Sequence, residues 1–165
     1  MIKSFKLLSR SAVFAAMIAA LTFFVKIPVG NGYIHIGDSV IYIAACVLPA
    51  PYAMAAAGIG GALSDALGGY AAYIIPTFII KALITLPYTS KKNTVLIKRN
   101  VFMVIPAGVI SVGGYFAAAW FLYGGAGAAA GLPGDIIQAA GSAALFFVFA
   151  LMLDKVNFKQ NLRSF

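Results

Sequence analysis

Six apolar stretches occupy most of this 165-residue chain, and they constrain its fold more than any other feature. A helix needs about 17 to 25 apolar residues to cross the hydrocarbon core of a bilayer, and the stretches match or nearly match that length. A mean hydropathy of +0.97 argues against a soluble domain. The sequence therefore predicts an all-α integral membrane protein, a single domain over residues 1–165 with six transmembrane helices. The predicted helices cover residues 11–27, 33–48, 52–67, 71–87, 101–123 and 136–153.

The basic residues predict the orientation of these helices. With the N-terminus placed inside, ten of the twelve Lys and Arg residues fall on one side, and only Lys26 and Lys81 do not. Short loops rich in Lys and Arg stay in the cytoplasm, so both termini are predicted to be cytoplasmic, in a multi-pass protein of a bacterial plasma membrane. The formal charge of +8 favours contact with anionic lipid headgroups of the bilayer. A nucleic-acid partner is not expected, because the basic residues lie at separate loop ends.

The predicted first external loop carries polar side chains at Asn31, Tyr33, His35 and Asp38. Together they offer hydrogen-bond donors, acceptors and an aromatic face to a ligand. Asp38 lies near the N-terminus of the second predicted helix, where the dipole favours a carboxylate, so a capping role and a ligand role are both open. His35 is the single histidine and the chain has no Glu, so no metal site is predicted.

Lys81 is the least expected residue of the fourth predicted helix. It lies roughly ten residues below the outer end, which corresponds to a depth of roughly 15 Å in a regular helix. A lysine at that depth is costly unless it faces the protein interior and has a partner. Asp65 and Asp38 are the candidate partners. A buried ion pair and a direct contact with a ligand are both open for Lys81, and the two roles are compatible.

Polar and aromatic side chains near the outer ends of the later helices complete the candidate site. Asp135 and Gln138 are expected to begin the sixth helix, after a glycine-rich loop that lacks the Lys-Ser/Thr of a phosphate loop. A mostly apolar cavity with few polar groups is the usual form of a small-molecule site. No arrangement of nucleophile, base or metal ligands indicates an enzyme. The other candidate ligand contacts are Asp65, Tyr70, Tyr73, Lys81 and Tyr115.

Small residues recur along the first predicted helix at Ala12, Ala16 and Ala20. A spacing of four residues puts them on one helix face, along which another helix can approach closely. Taken by itself, the pattern favours packing within this protein, and a helix of a partner protein is the alternative.

Five short motifs, in order along the first half of the chain, resemble the S components of energy-coupling factor (ECF) vitamin transporters, in the group named after riboflavin transporters. They are residues 26–28 (Lys-Ile-Pro), 32–38 (Gly-Tyr-Ile-His-Ile-Gly-Asp), 58–65 (Gly-Ile-Gly-Gly-Ala-Leu-Ser-Asp), 69–70 (Gly-Tyr) and 76–82 (Pro-Thr-Phe-Ile-Ile-Lys-Ala). The second half resembles the family in length, topology and glycine content.

The resemblance implies transport without catalysis by this chain. An S component captures a vitamin from outside and works with a transmembrane coupling protein and two cytoplasmic ATPases. The ATPases use the ATP, and this chain is expected to hold no cofactor. The resemblance further implies that the first external loop closes over the ligand and that the S component topples when it docks on the coupling protein. It assigns ligand contact to the outer polar residues and docking to Ala12, Ala16 and Ala20.

The resemblance also suggests a substrate class. The motif at residues 32–38 looks most like members assigned to hydroxymethylpyrimidine or pyridoxine-type rings, with riboflavin as the next choice. Such rings would stack on the tyrosines of the site. His35 stands where other members commonly have Asn, which points to a different substrate, and queuosine precursors or cobalamin also remain open.

Two other classes of protein compete with this interpretation. A stand-alone carrier or channel would need internal repeats or an ion path, and no repeat is evident across the two halves of the sequence. An integral-membrane enzyme of lipid metabolism would need several carboxylates or histidines near one interface, whereas the inner face offers only Asp154. The S component is therefore preferred, followed by the carrier and then the enzyme.

Overall fold

The computed structural model describes residues 2–29 and 32–164. The fold is helical, as predicted, with about 82% of the residues in helices. The helices are α1 (Ile2–Phe24), α2 (Gly37–Val47), α3 (Ala50–Gly68), α4 (Ile74–Leu83), α5 (Lys98–Phe102), α6 (Val104–Lys155) and α7 (Phe158–Ser164), with a 3₁₀ turn at Ala71–Tyr73. The strands β1 (Lys26–Val29) and β2 (Gly32–His35) form an antiparallel hairpin between α1 and α2.

The chain runs back and forth between two ends of a helix bundle. We call them the hairpin end, which carries β1 and β2, and the loop end, which carries residues 84–97. Within the described residues, two helical stretches are long and apolar enough to cross a membrane by length and composition, Ser4–Phe24 and Lys98–Lys155. The helices α2 and α4 are also apolar but shorter, because α2 begins only after the hairpin and α4 ends at Leu83.

Helix α2 is the centre of the fold. Its residues from Gly37 to Cys46 are all buried, and α1, α3 and α6 pack around it. A helix that is surrounded on all sides can be apolar around its whole circumference, which explains why this segment has no polar face. The core continues through aromatic contacts. The Tyr42 ring stacks on Tyr88 with 5.3 Å between centroids and meets Phe146 edge-on at 5.9 Å.

The predicted start of the second helix at residue 33 is wrong, because that residue lies in β2 and α2 begins at Gly37. The two strands pair with Ile27 opposite Ile34. β-branched and aromatic residues favour extended backbone. Pairing between the strands satisfies their backbone N–H and C=O groups, which in a helix would bond along the chain. Residues 26–29 and 32–35 therefore form the two strands of a hairpin and not part of a helix.

Helix α3 packs between α1 and α4, and two adjacent glycines let it approach both. A Cβ on Gly60 would lie 2.7 Å from the backbone oxygen of Ala15 in α1. A Cβ on Gly61 would lie 2.9 Å from the Lys81 side chain in α4. Neither position has room for a larger residue, which is typical of close helix packing in membranes. Most of the small residues of α3 therefore serve contacts within this chain.

Helix α6 is broken at Gly124, where φ is 74° and ψ is −179°. This conformation is open almost only to glycine, and it separates a first arm (residues 104–123) from a second arm (residues 125–155). The predicted glycine-rich loop before residue 136 is wrong, because these residues already form the start of the second arm. A helix satisfies most of its own backbone hydrogen bonds, whereas a loop would need other partners for these groups.

The loop end begins where α4 stops at Leu83, ahead of the predicted end at residue 87. The backbone there tightens into three-residue turns, in which the N–H of Thr85 donates to the carbonyl of Ala82 and that of Leu86 to the carbonyl of Leu83. Pro87 follows, and the residue before a proline is disfavoured in helical conformation. The chain then continues without regular structure to α5.

Side chains hold this irregular segment in place. The Asp154 carboxylate accepts hydrogen bonds from the backbone N–H groups of Val95 and Leu96, at 2.7 and 2.8 Å. The buried Asn100 side chain accepts from the N–H of Thr89 at 3.0 Å and donates to the carbonyls of Thr89 and Val95, at 3.1 and 3.0 Å. We call Asp154, Asn100 and these backbone groups the loop-end network. It fastens residues 89–96 to the ends of α5 and α6.

Candidate functional site

A cavity opens at the hairpin end, between the hairpin, α3, α4 and both arms of α6. It holds about 810 Å³ of space free of protein atoms, counted out to its open mouth. The cavity is lined by many of the residues that the sequence singled out, namely His35, Asp65, Tyr70, Tyr73, Lys81, Tyr115, Asp135 and Gln138.

The remaining predicted ligand residues have other positions. Asp38 is fully buried beside Lys81, behind the surface of the cavity. Asn31 lies outside the residues that the structure describes, and so does the side chain of Tyr33, although the backbone of Tyr33 belongs to β2.

Lys81 and Asp38 form a buried ion pair. The Lys81 Nζ lies 2.7 Å from Oδ1 and 2.8 Å from Oδ2 of Asp38, and the two side chains are 2% and 0% exposed. Asp38 stands in the first turn of α2, where the helix dipole also favours its negative charge. Of the two candidate partners of Lys81 in the sequence, Asp38 is therefore the one that forms this pair.

Gln138 joins the second arm of α6 to the hairpin. Its Oε1 accepts a hydrogen bond from the backbone N–H of His35 at 2.6 Å, and its Nε2 donates to the carbonyl of His35 at 2.8 Å. The amide therefore binds β2 as a neighbouring strand would. Its Nε2 also lies 3.0 Å from Ser142 Oγ and 3.4 Å from Asp38 Oδ2. We call Asp38, Lys81, Gln138 and His35 the hairpin-end network.

The His35 ring acts as a hydrogen-bond acceptor in this network. Its Nδ1 accepts from the backbone N–H of Gly37 at 3.0 Å and faces the hydroxyl of Thr22 at 3.4 Å. His35 lies in β2, outside the helices of the bundle. Burial lowers the pKa of its imidazole to about 4, with the negative charge of Asp38 opposing this shift and the positive charge of Lys81 adding to it. His35 is therefore neutral at physiological pH.

Two tyrosines of the cavity lining, Tyr73 and Tyr115, form an aromatic wall on one side of the cavity, and Tyr123 contacts Tyr73 from outside that lining. The ring centroid of Tyr73 lies 6.2 Å from that of Tyr115 and 6.1 Å from that of Tyr123. The Tyr115 hydroxyl donates to Thr77 Oγ1 at 3.0 Å, which fixes its ring. The Lys81 Nζ stands 4.9 Å from the centre of the same ring, within the range of a cation–π contact. Flat rings pack well against such a wall.

Two carboxylates also face the cavity. Asp65 of α3 is buried, whereas Asp135 of the second arm of α6 is half-buried. Asp135 was predicted to begin a helix, and this is wrong. The second arm of α6 starts directly after Gly124, so Asp135 lies well inside it. Its position therefore follows from helix packing and not from capping.

Several residues that line the cavity were not predicted to do so, and the sequence indicates most of them only weakly. Thr22, Thr77 and Ser111 are single polar residues within apolar stretches, and each is buried. A small polar residue in such a stretch can satisfy its hydroxyl through the backbone, so it indicates a cavity only weakly.

The glycines of the second arm carry a clearer signal that was missed. Gly127, Gly131 and Gly134 all line the cavity and recur every three or four residues, in line with Gln138. That spacing places them on one helix face. The prediction missed this face because it treated residues 124–135 as a loop, in which spacing has no such meaning.

The alanines proposed for docking lie on a different surface. Ala12, Ala16 and Ala20 are exposed along α1, whereas the neighbouring Ala19 is buried. Helix α1 thus turns one set of small residues into the bundle and leaves a second set uncovered.

Comparison with known proteins identifies the family. A sequence model described as ECF-type riboflavin transporter, S component, matches residues 3–155. The chain is also 32% identical over 117 residues to a Pyrococcus woesei protein described as an uncharacterized protein in the gap 3′ region, covering 70% of this chain and 78% of that protein. The family match confirms the resemblance seen in the sequence motifs, and it makes this chain a transport component and not an enzyme. The chain belongs to the family of ECF-type riboflavin transporter S components.

Proposed function

We propose that this chain is the substrate-capturing subunit of an ECF-type importer. It binds a vitamin or a related ring-containing micronutrient in the cavity at the hairpin end, which faces outward. The observation that carries this proposal is the cavity itself, with its aromatic wall, its inward-facing polar groups and a hairpin held over it by Gln138. Sites for small molecules have this composition.

The proposed topology has six membrane-spanning segments and both termini in the cytoplasm of a bacterial cell. The basic residues at the loop end support it, because Lys91, Lys92, Lys98, Arg99 and Lys155 are all exposed there. Positive charge next to membrane helices favours the cytoplasmic side. The hairpin end then faces the external medium, from which a substrate would enter.

The preferred substrate is a hydroxymethylpyrimidine or pyridoxine-type ring, followed by riboflavin. The aromatic wall of Tyr73 and Tyr115 would take one face of such a ring, and polar side chains around the cavity would bind its edge. The family name includes riboflavin, but it describes the group and not the ligand of each member.

Delivery is proposed to follow docking. The exposed stripe Ala12, Ala16 and Ala20 would meet the coupling protein, and the S component would topple and release its ligand inward. Two partner ATPases would supply the energy by hydrolysing ATP. The stripe and the cavity involve different residues, so binding and delivery can be separated by mutation.

Native mass spectrometry of the detergent-purified protein is the first test of capture. A co-purified mass of vitamin size would support the proposal and identify the substrate. If the purified protein binds no vitamin or precursor from a broad panel, capture is not its function. Transport by the chain alone, reconstituted in vesicles without the other subunits, would favour a stand-alone carrier instead.

Ala16→Trp tests delivery. We expect this variant to lose uptake in cells while keeping its ligand affinity, because a bulky side chain on the stripe blocks close approach of another helix. Val109→Trp is the matched control, since Val109 is 69% exposed on the first arm of α6, away from the stripe. Loss of binding together with uptake in a folded Ala16→Trp protein would contradict separate surfaces, as would equal effects of the two variants.

A further inference from the structure

The charged side chains at the cavity differ in whether they already have a partner within the protein. Lys81 is the cation of the described lining, and both oxygens of Asp38 already contact its Nζ, at 2.7 and 2.8 Å. The pair is neutral as a unit. Asp65 and Asp135 add two carboxyl groups to the same lining. Among the described residues that line the cavity, carboxyl groups therefore outnumber cations by two to one.

Asp135 is the more available of these carboxylates. It is half-buried at the cavity, and no described residue forms a hydrogen bond or ion pair with it. A carboxylate that is removed from water without a donor is costly, and a donor on the ligand would offset that cost. Asp65, by contrast, already interacts within the protein.

The helix around Asp135 leaves room for a ligand to reach it. Gly131 lies one turn before Asp135 on the same face, and Gly127 lies a further turn away. A Cβ at Gly131 would be 4.0 Å from Asp135 Oδ2, and the glycine leaves that volume empty. The two glycines form a flat surface beside the carboxylate, and the aromatic wall completes the cavity with Tyr73 and Tyr115.

We propose that Asp135 determines ligand specificity by accepting a hydrogen bond from an amino group or protonated nitrogen on a flat heterocycle. The cavity thereby selects amino-substituted nitrogen heterocycles over acceptor-rich rings, and it rejects phosphate monoesters. A phosphate monoester carries a charge of about −1.5 to −2 at neutral pH, and it would face two carboxyl groups with a lysine that is already paired. This inference rests on the proposed capture of a vitamin-like ligand and adds the chemistry by which the ligand is chosen.

Matched ligands test this selection on the purified wild-type protein by calorimetry. The panel is 4-amino-5-hydroxymethyl-2-methylpyrimidine, the same ring with a methoxy group in place of the amino group, the phosphate ester of the amino compound, and riboflavin. We expect the amino compound to bind at least about tenfold more tightly than each of the others, because a hydrogen bond to a charged acceptor is lost or repulsion is added. Equal binding of the amino and methoxy compounds, or tighter binding of the phosphate ester, would overturn the inference.

Substitution of Asp135 connects the selection to this residue. Asp135→Asn replaces a charged acceptor with a neutral one, so it should lower affinity for the amino compound about tenfold or more and weaken the preference over the methoxy compound, while Asp135→Glu should retain the preference. Unchanged preference in a folded Asp135→Asn protein would overturn the assignment, and if that variant does not fold, the wild-type panel still decides the ligand class. Tight binding of riboflavin alone would overturn this inference but leave the proposed capture intact, whereas binding of no compound in a broad vitamin panel would remove both.

Discussion

The two ends of the bundle each hold a buried polar network, and they use their side chains differently. In the loop-end network, both oxygens of Asp154 and the amide of Asn100 bind backbone groups of one irregular segment. In the hairpin-end network, Lys81 and Gln138 bind protein groups and also face a cavity. The comparison shows that buried polarity alone does not indicate a binding site. What distinguishes a site is polar groups that remain accessible to a ligand.

The largest effect is expected from separating the ion pair. Lys81→Met should lower the free energy of unfolding by about 3 to 5 kcal/mol, because it leaves the Asp38 carboxylate buried and unpaired. Asp38→Asn should cost a similar amount. Chemical unfolding in detergent measures both. The double variant Lys81→Met/Asp38→Leu should be more stable than either single one, since it leaves no charge behind.

Asp65→Asn is the control for that experiment. Asp65 is also buried at the cavity, but the pair with Lys81 is formed by Asp38. If Asp65→Asn destabilises the protein as much as Asp38→Asn does, the special importance of the Lys81–Asp38 contact is not supported.

Gln138→Leu should break the connection between the hairpin and α6. It would leave the N–H and carbonyl of His35 without their partner, at a cost of about 2 to 4 kcal/mol. Faster hydrogen exchange in residues 32–35 and weaker ligand binding should accompany this loss. Ser142→Ala, one turn away on the same helix, should preserve the two hydrogen bonds to His35. Hairpin exchange that is unchanged in Gln138→Leu would show that other contacts hold the hairpin.

Asp154→Ala tests the loop-end network. It removes the acceptor for two backbone N–H groups in a partly exposed segment, which should lower stability by about 2 to 3 kcal/mol. Ligand affinity of the folded fraction should stay unchanged, because the loop-end network is remote from the cavity. A selective loss of affinity at constant folded fraction would show that the two networks are coupled.

The smallest expected effect is a pH dependence from His35. Its pKa is about 4 in the folded protein against an ordinary value of 6.5, so the unfolded protein binds more protons between these values. The stability contribution is complete above pH 6.5 and declines as the pH falls towards 4, by about 2 kcal/mol at pH 5. The melting temperatures of wild type and His35→Asn, plotted against pH, should therefore converge as the pH falls. A constant difference between the two melting temperatures from pH 7 to pH 5 would contradict a buried neutral imidazole.

Much of the site could be predicted from the sequence because burying a charged side chain in an apolar segment costs free energy unless the charge has a partner. Lys81 requires a partner at any buried depth, so its involvement in a polar network follows from the sequence. The choice between Asp38 and Asp65 does not, because it depends on how α2 and α3 are rotated towards α4. Gln138 lines the cavity, where it was expected to bind a ligand, and its amide also binds the backbone of a residue 103 positions away in the chain. No local pattern contains that pairing.

Apolar length and composition specify a helical membrane fold, because they decide which segments of the chain avoid water. The motifs of the first half also indicate the family. Tertiary packing settles three further points: residues 32–35 form a strand, α6 continues as a helix after Gly124, and Gly127 and Gly131 face the cavity. Those outcomes depend on contacts between distant segments, whose packing and hydrogen bonds outweigh local preferences. Local chemistry thus predicts which residues need partners, and packing decides which partners they have.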